Sequence, residues 1–223
     1  MQGKYNGAAP YHIHVVGWGT VAAPLTVHTI DTVGNGWFKG SVTGSGSDYA
    51  EYFEWLDGNP NNEDRVGTIV ALNGDKIYPA NAEDDLLGII SGTATVVGDN
   101  PECDWRGRFL TDNYGRKIME EIEETKPIYN SETDQIEEVI TTRPFPKINP
   151  EYDKTKEYIR RADRPEWDVV GLMGKLYVND DGTCVPNGYA KCGGNGIATA
   201  STEKTNMRVM KRITDSIVLV FMK

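Results

Sequence analysis

Positive charge is scarce in this sequence of 223 residues. Its 23 Lys and Arg residues are outnumbered by 33 Asp and Glu residues, which gives a formal net charge of −10 at pH 7. A nucleic-acid-binding surface needs a basic patch that displaces the counterions of the phosphates, and anionic lipid attracts basic segments. The charge balance therefore argues against nucleic acid and against a membrane surface as partners.

Long apolar runs are also missing. No stretch approaches the roughly 20 apolar residues of a transmembrane helix, and the start, MQGKYNGAAP, lacks the apolar centre of a signal peptide. No Gly-rich phosphate loop precedes a helical pattern, so the fingerprint of a nucleotide-binding fold is absent from the sequence. We therefore expect no membrane span, no secretion signal and no cofactor.

Cysteine is sparse, and the three residues are Cys103, Cys184 and Cys192. An odd, small set fits reduced cytoplasmic thiols better than a disulfide framework. Zinc needs about four ligands, and the sequence has neither a CxxC motif nor a histidine beside a cysteine. His12 and His14 would share one face of a strand, and three such pairs on a three-fold axis would offer six nitrogens. Because HxH pairs are common, we expect core or surface histidines and no metal.

Glycine, in contrast, is plentiful, with 24 residues. The turn pairs Asp57-Gly58, Asn73-Gly74 and Asp181-Gly182 stand between apolar runs, as they do in β-hairpins. The sequence therefore predicts a mainly β fold, with short hairpins around a compact β core.

Strand patterns recur along the chain. Residues 11–43 read as short strands, in a segment too small and too rich in glycine to bury a core alone. YAEYFEWLDG alternates, with Tyr49 and Glu51 on one face and Ala50 and Tyr52 on the other. DLLGIISGTATVV is a nearly continuous apolar run, typical of one buried strand, while DVVGLMGKLYVNDDGTC and MRVMKRITDSIVLVFMK each predict a hairpin.

The segment from about 108 to 147 differs from the rest because it is acidic and poor in large apolar residues. Ile118 and Ile122 alternate with acidic residues, which favours a long β-hairpin arm that turns near Asn130-Ser131. IMEEIEE also has helical propensity, so a solvated helical hairpin is the alternative. An arm without its own core must pack on something, and identical arms in an oligomer are the simplest partner.

The stretch GSGSDYAEYFEW, residues 44–55, contains the candidate chemistry. A peptide bond in a Gly/Ser segment can be held in unusual backbone conformations, and Asp48 places a carboxylate beside its own amide. In an extended strand Glu51 would face away from Asp48, so a turn or bulge would be needed to bring both carboxylates near the Ser47–Asp48 bond. Two carboxylates with separated pKa values can act as base and acid, one activating water and the other protonating the leaving amine.

Spacing alone leaves other interpretations open. Ser47 could attack the Gly46 carbonyl and form an ester, which would leave Ser47 as the new N-terminus. The stretch could also be a polar linker followed by an ordinary strand. Support for a developing oxyanion could come from Lys39, Arg65 or Arg106, although a surface or structural charge is the more common role of such residues.

Six motifs lie between residue 34 and the end of the chain. They are GNGWFKGSVTGSGSDYAEYFEWLDGNPNNEDRVGTIVAL, DDLLGIISGTATVVGDN, DWRGRFLTDNYGR, RPEWDVVGLMGKLYVNDDGTC, GIATAS and RVMKRITDSIVLVFMK. Together they resemble the peptidase G2 family, the autoproteolytic intramolecular-chaperone domains at the C-termini of phage tail spikes and neck appendages. The resemblance covers roughly residues 36–223, and the acidic arm at 118–145 matches only in general character.

The resemblance implies a domain that drives trimerisation of a spike and then cuts itself off, as an autoproteolytic endopeptidase with a single turnover. It places the cut at the Ser47–Asp48 bond and makes Asp48 and Glu51 the catalytic carboxylates, with no metal. Residues 1–47 would be the C-terminal end of the spike or appendage, and residues 48–223 the chaperone domain. The expected partners are two further copies, in an intertwined homotrimer, and the upstream spike chain.

The resemblance also implies a location. Assembly would take place in the host cytoplasm, the spike part would remain in the virion tail for host adhesion, and the chaperone part would be released. Two alternatives keep the trimer without the cut: a non-cleaving trimer cap, or a receptor-binding tip domain of a tail fibre. A receptor-binding tip would expose aromatic clusters in loops, whereas most aromatic residues here, such as Tyr52, Trp55 and Phe221, lie in strand-like runs.

Overall fold

The computed structural model describes residues 2–3, 12–20, 23–31, 34–101, 105–130 and 135–223. The chain divides into two compact units, Met1–Gly46 and Ser47–Lys223. The described residues form 16 strands and one three-residue 3-10 helix, Arg161–Asp163, so the predicted mainly β fold is confirmed. No helix in this part of the chain is long and apolar enough to cross a membrane. The assignment of the two parts to a spike and a chaperone stays a prediction.

The first unit contains a four-stranded sheet. Its strands are β1 (Gln2–Gly3), β2 (His12–Gly19), β3 (Pro24–Asp31) and β4 (Gly36–Phe38). β1 pairs parallel with β2, and the other two pairings are antiparallel. The ring of His28 stacks on Phe38 at 4.6 Å and meets the ring of His14 edge-on at 5.0 Å. His14 therefore belongs to an aromatic cluster, and the side chain of His12 lies outside the described residues.

The second unit contains the other twelve strands. They are β5 (Asp48–Trp55), β6 (Ile69–Asn73), β7 (Lys76–Pro79), β8 (Leu86–Ile90), β9 (Ala94–Gly98), β10 (Met119–Asn130), β11 (Gln135–Pro146), β12 (Trp167–Asn179), β13 (Tyr189–Gly194), β14 (Ile197–Ser201), β15 (Met207–Thr214) and β16 (Ile217–Met222). Ten of them form one sheet in the order β14-β13-β15-β16-β12-β8-β6-β7-β5-β9. Because β5 pairs with β12 as well as with β7, the strands β5, β7, β6, β8 and β12 close into a ring.

Each strand of the ring contributes one fully buried side chain to a small core. These side chains are Trp55, Val70, Ile77, Ile90 and Val170. A larger core lies along β12, β15 and β16 and includes Leu176, Val209 and Val220. Burying such a side chain contributes about 1.5–3 kcal/mol, so β5 and β12 are firmly anchored in the sheet.

The acidic segment forms a two-stranded sheet of its own. β10 and β11 pair antiparallel from Met119–Pro146 to Asn130–Gln135. A long β-hairpin is therefore present, as predicted, and the alternative helical hairpin is not. Residues 131–134, between the two strands, fall outside the described residues, so the turn predicted near Asn130-Ser131 and the protrusion of the hairpin as an arm stay predictions.

Two of the strand predictions are wrong. DLLGIISGTATVV forms two strands, β8 and β9, and Val96 of β9 is half exposed. DVVGLMGKLYVNDDGTC does not form a hairpin, because β12 runs to Asn179 and pairs with β5, β8 and β16 rather than with β13. In both cases the pairing partners lie far away in the sequence, where a local pattern carries no information about them.

Candidate functional site

The Ser47–Asp48 peptide bond lies where β5 begins, and main-chain hydrogen bonds hold it on both sides. The Ser47 amide donates to the Thr93 carbonyl at 3.1 Å, and the Lys175 amide donates to the Ser47 carbonyl at 3.1 Å. The Ser47 hydroxyl in turn donates to the Lys175 carbonyl at 3.1 Å. The carbonyl of the predicted scissile bond is thus fixed against β12, while Ser47 itself stays exposed.

Two glycines of β12 make room for this bond. A Cβ atom at Gly174 would lie 2.5 Å from the Ser47 carbonyl oxygen and 2.8 Å from Asp48 Cα, and Gly174 has a φ of +121°. A Cβ atom at Gly171 would lie 2.9 Å from Asp48 Oδ2. These glycines had no predicted role, although isolated glycines inside a strand pattern often mark a close approach of another backbone.

The Asp48 side chain is buried, with 3% of its surface exposed. Its Oδ1 accepts a hydrogen bond from the Thr93 hydroxyl at 3.3 Å, whereas its Oδ2 has no hydrogen-bond partner among the described residues. Burial raises the pKa of the Asp48 carboxyl, and the hydroxyls of Ser91 and Thr93 oppose that rise. This environment favours a neutral carboxyl group, which is the form that can donate a proton.

The Glu51 carboxylate lies in a different environment. Its Oε1 accepts a hydrogen bond of 2.5 Å from the Tyr49 hydroxyl, which raises the pKa of that hydroxyl. Gly98 of β9 packs against the Glu51 side chain, since a Cβ atom there would lie 2.9 Å from Glu51 Cγ. Glu51 also lines a surface cavity of about 280 Å³ with Trp167 and Arg106.

The two predicted carboxylates point to opposite faces of β5. β5 is continuous from Asp48 to Trp55, so Asp48 shares a face with Ala50 and Glu51 shares the other with Tyr49. The register shifts next to Asp48 and Tyr49 place the additional residues in β9 and β12 rather than in β5. The bulge that would have brought the carboxylates together is therefore not in β5, and a single chain does not unite them.

The cationic candidates have structural contacts. Arg65 pairs with Asp57 at 2.7 Å and with Glu63 at 2.9 Å, and its guanidinium lies 4.5 Å from the centre of the Trp55 ring. Arg106 pairs with Asp99 at 2.6 Å on the surface, and Lys39 is exposed in the first unit. Arg65 thus packs around the small core that the ring of strands encloses.

The described cysteines are buried free thiols. Burial raises the pKa of the Cys184 thiol to about 12, and the Cys192 thiol donates to the Ala80 carbonyl. Both thiols are therefore unreactive packing residues, and Cys103 lies outside the described residues. Within the described ranges, no group of three or more His, Cys, Asp or Glu side chains could hold a metal ion.

Comparison with known proteins gives consistent matches. The family model described as Peptidase_G2, IMC autoproteolytic cleavage domain, matches residues 9–217, and so begins well before residue 36. The phage-related protein YobO of Bacillus subtilis strain 168 is 40% identical over 82% of this chain and 21% of its own length. The pre-neck appendage protein of Bacillus phage B103 is 36% identical over 72% of this chain and 17% of its own length.

Solved structures match as well. The crystal structure of the pre-mature bacteriophage phi29 gene product 12 superposes with a TM-score of 0.73 and 29% identity, over 94% of this chain and 26% of that chain. The C-terminal fragment of the same gene product gives a TM-score of 0.59 and 31% identity, over 79% of this chain and all of the fragment. The chain thus spans about a fifth of the length of its curated relatives.

Proposed function

The chain belongs to the Peptidase_G2 family of autoproteolytic cleavage domains, and from that premise we propose that it is a self-cleaving intramolecular chaperone of a phage appendage. It promotes trimerisation of the appendage and releases itself by cutting Ser47–Asp48. Residues 1–47 remain with the appendage in the virion tail, and residues 48–223 leave after assembly in the host cell. The naming of relatives as pre-neck appendage proteins supports this assignment.

The observation that carries the proposal is the environment of the Ser47–Asp48 bond. Its carbonyl is fixed by the Lys175 amide, and the buried Asp48 carboxyl belongs to the same residue as the amide nitrogen that leaves. Because burial raises the pKa of the Asp48 carboxyl, we assign this group as the acid that protonates the leaving amine. Glu51 is the base that activates water. In this mechanism Ser47 flanks the bond and does not act as the nucleophile.

A second copy of the chain supplies the base. Glu51 and Asp48 of one chain point to opposite faces of β5, so the Glu51 that serves a given bond comes from a neighbouring copy. The face of the sheet that carries Glu51 also carries exposed apolar residues, namely Tyr49 of β5, Val96 of β9, Met173 of β12 and Phe221 of β16. Such a face fits burial against another copy, and cleavage then waits for trimerisation.

The wild-type chain is expected to appear as two fragments on a denaturing gel, residues 1–47 and residues 48–223. N-terminal sequencing of the larger fragment should read Asp-Tyr-Ala-Glu. A larger fragment that begins with Ser-Asp-Tyr would move the chemistry to Ser47 and the ester route. A chain that forms trimers and stays whole would refute self-cleavage and favour a non-cleaving trimer cap.

The β10–β11 hairpin is the part of the chaperone that packs against a neighbouring copy. An isolated two-stranded hairpin is marginal in water, and here Ile136 and Ile140 are 71% and 67% exposed. β-branched apolar side chains in these positions gain stability once they pack on another surface. The hairpin therefore contributes to trimerisation rather than to the fold of its own chain.

Replacement of residues 121–144 by a short Gly-Ser turn is expected to leave the ten-stranded sheet folded and to weaken the trimer. The reason is that β10 and β11 pair only with each other among the described strands. Size-exclusion chromatography with light scattering measures the trimer fraction, and circular dichroism measures the fold. A second variant, with Ile136→Thr and Ile140→Thr together, should also weaken the trimer, as the shortened chain does. A shortened chain with an undiminished trimer fraction would contradict the role of the hairpin.

A further inference from the structure

The main-chain amide of Lys175 is the donor that lies on the carbonyl oxygen of the proposed scissile bond, at 3.1 Å. Tetrahedral intermediates of acyl transfer place a negative charge on that oxygen, and fixed main-chain donors stabilise such charges. The side chain of Lys175 is exposed, so the group that meets the reacting oxygen is the amide and not the ammonium group.

Gly174 determines where this amide points. Its φ of +121° lies outside the range of ordinary strand residues, and a side chain at this position would collide with the Ser47 carbonyl oxygen and with Asp48 Cα. The pairing of β12 with β5 ends at Gly174–Asp48, so the amide of Lys175 reaches beyond the last pair to Ser47. The reciprocal bond from the Ser47 hydroxyl to the Lys175 carbonyl holds the two residues in register.

We propose that the Lys175 main-chain N–H is the oxyanion donor of the cleavage reaction and that Gly174 is the residue that positions it. This inference rests on the proposed cleavage at Ser47–Asp48. The Lys175 N–H is then a third catalytic group beside the two carboxylates. Unlike Glu51, it acts on the bond of its own chain.

In the proposed hydrolysis of the Ser47–Asp48 bond, each proton and electron pair has a defined origin and destination. Water adds to the Ser47 carbonyl carbon and gives a proton to the Glu51 carboxylate, while the π electron pair of the carbonyl moves to its oxygen, where the Lys175 N–H stabilises it. The electron pair on the oxyanion then re-forms the C=O bond while the C–N bond breaks, and the C–N electron pair stays on the Asp48 nitrogen, which takes the proton of the Asp48 carboxyl. Glu51 is left protonated and Asp48 is left as a carboxylate. The products are the carboxyl group of Ser47 and the free amine of Asp48.

Other donors are less suited to this task. The guanidinium of Arg65 is committed to Asp57 and Glu63, and that of Arg106 is paired with Asp99. The Thr93 hydroxyl donates to Asp48 Oδ1. The Lys175 amide, in contrast, already contacts the reacting oxygen before any charge develops, so its stabilisation needs little rearrangement.

The test measures the first-order cleavage rate of the full chain, pulse-labelled during cell-free synthesis and chased. Gly174→Ala is expected to slow cleavage by about 100-fold or more, the usual cost of losing an oxyanion donor. Gly194→Ala is the matched control, because Gly194 has the same φ of +121° and no neighbour within 4 Å of its added Cβ. It should cleave at the wild-type rate. The trimer fraction is followed in parallel on unheated gels.

A second variant removes only the donor. Incorporation of the α-hydroxy acid analogue of lysine at position 175 replaces the amide N–H by an ester oxygen with nearly unchanged shape. We expect a slowing similar to that of Gly174→Ala, with a pH–rate profile of unchanged shape and lower height. A role of the amide in folding alone would lower the trimer fraction and leave the rate within the trimer unchanged.

The outcomes separate the two proposals. If the wild-type chain is not cut at Ser47–Asp48, the proposed function fails and the oxyanion role fails with it. If the wild-type chain is cut there and the ester variant, once trimeric, cleaves at the wild-type rate, only the oxyanion role is overturned. Slow cleavage of a trimeric ester variant supports the role even if Gly174→Ala does not fold.

Discussion

When Asp48→Asn and Glu51→Gln chains are synthesised together, only the Glu51→Gln chain is expected to be cut. Each variant alone should stay whole, because each lacks one of the two carboxylates at every site. In a mixed trimer, a Glu51→Gln chain keeps Asp48 beside its own bond and receives Glu51 from an Asp48→Asn neighbour. The opposite faces of Asp48 and Glu51 on β5 are the physical reason for this asymmetry.

The measurement uses a size tag on one variant, so that the fragments of the two chains separate on a gel. In a ring of three with one neighbour supplying the base, about half of the Glu51→Gln chains should be cut at equal mixing. Mixing the two proteins after separate assembly is the control and should give no fragments. If co-synthesis leaves both chains whole, Glu51 acts within its own chain and the shared site is refuted.

Local patterns in the sequence predict the strands that depend on local contacts. The alternation of β5 and the hairpin of β10 and β11 follow from the side-chain period of two. The last hairpin, β15 with β16, is also as predicted. In each case the residues that determine the structure are neighbours in the chain.

Pairings over long distances were beyond such patterns. β12 pairs with β5 although more than a hundred residues separate them, and this pairing leaves β12 without the predicted hairpin partner. The apolar run DLLGIISGTATVV looks like one strand, but its halves join different neighbours, β8 with β6 and β12, and β9 with β5. Hydrophobicity indicates that a strand is buried without indicating which strand covers it.

In the candidate site, too, local patterns predict some features while others depend on long-range strand pairing. Spacing in GSGSDYAE predicts that Asp48 and Glu51 face apart in an extended strand, and the structure agrees. The contributions of Gly171, Gly174 and Lys175 depend on the β5–β12 pairing. The only local sign of these contributions was the pair Gly171 and Gly174, three residues apart in a strand pattern.

Asp48→Asn is expected to abolish cleavage and to make the chain more stable at neutral pH than an uncut chain that keeps Asp48. Burial raises the folded-state pKa of Asp48 above the value of about 3.9 for an unfolded chain. The folded state then binds the proton more tightly than the unfolded state, so stability is greatest below pH 4 and is lost as the pH rises through the raised folded pKa. Asparagine carries no charge, so the stability of the Asp48→Asn variant does not fall in this way as the pH rises.

The proper reference is Glu51→Gln, which is also uncut but retains Asp48. Melting temperatures of the two variants between pH 3.5 and 8 should coincide at the acidic end and diverge as the pH rises, with Asp48→Asn the higher. Asp57→Asn in the Glu51→Gln background gives a control of opposite sign, because the hydrogen bond from Arg65 lowers the pKa of Asp57. Its penalty should be present at neutral pH and shrink on acidification. Parallel curves for Asp48→Asn and Glu51→Gln would mean that folding does not raise the pKa of the Asp48 carboxyl, and the acid in the reaction would have to be another group.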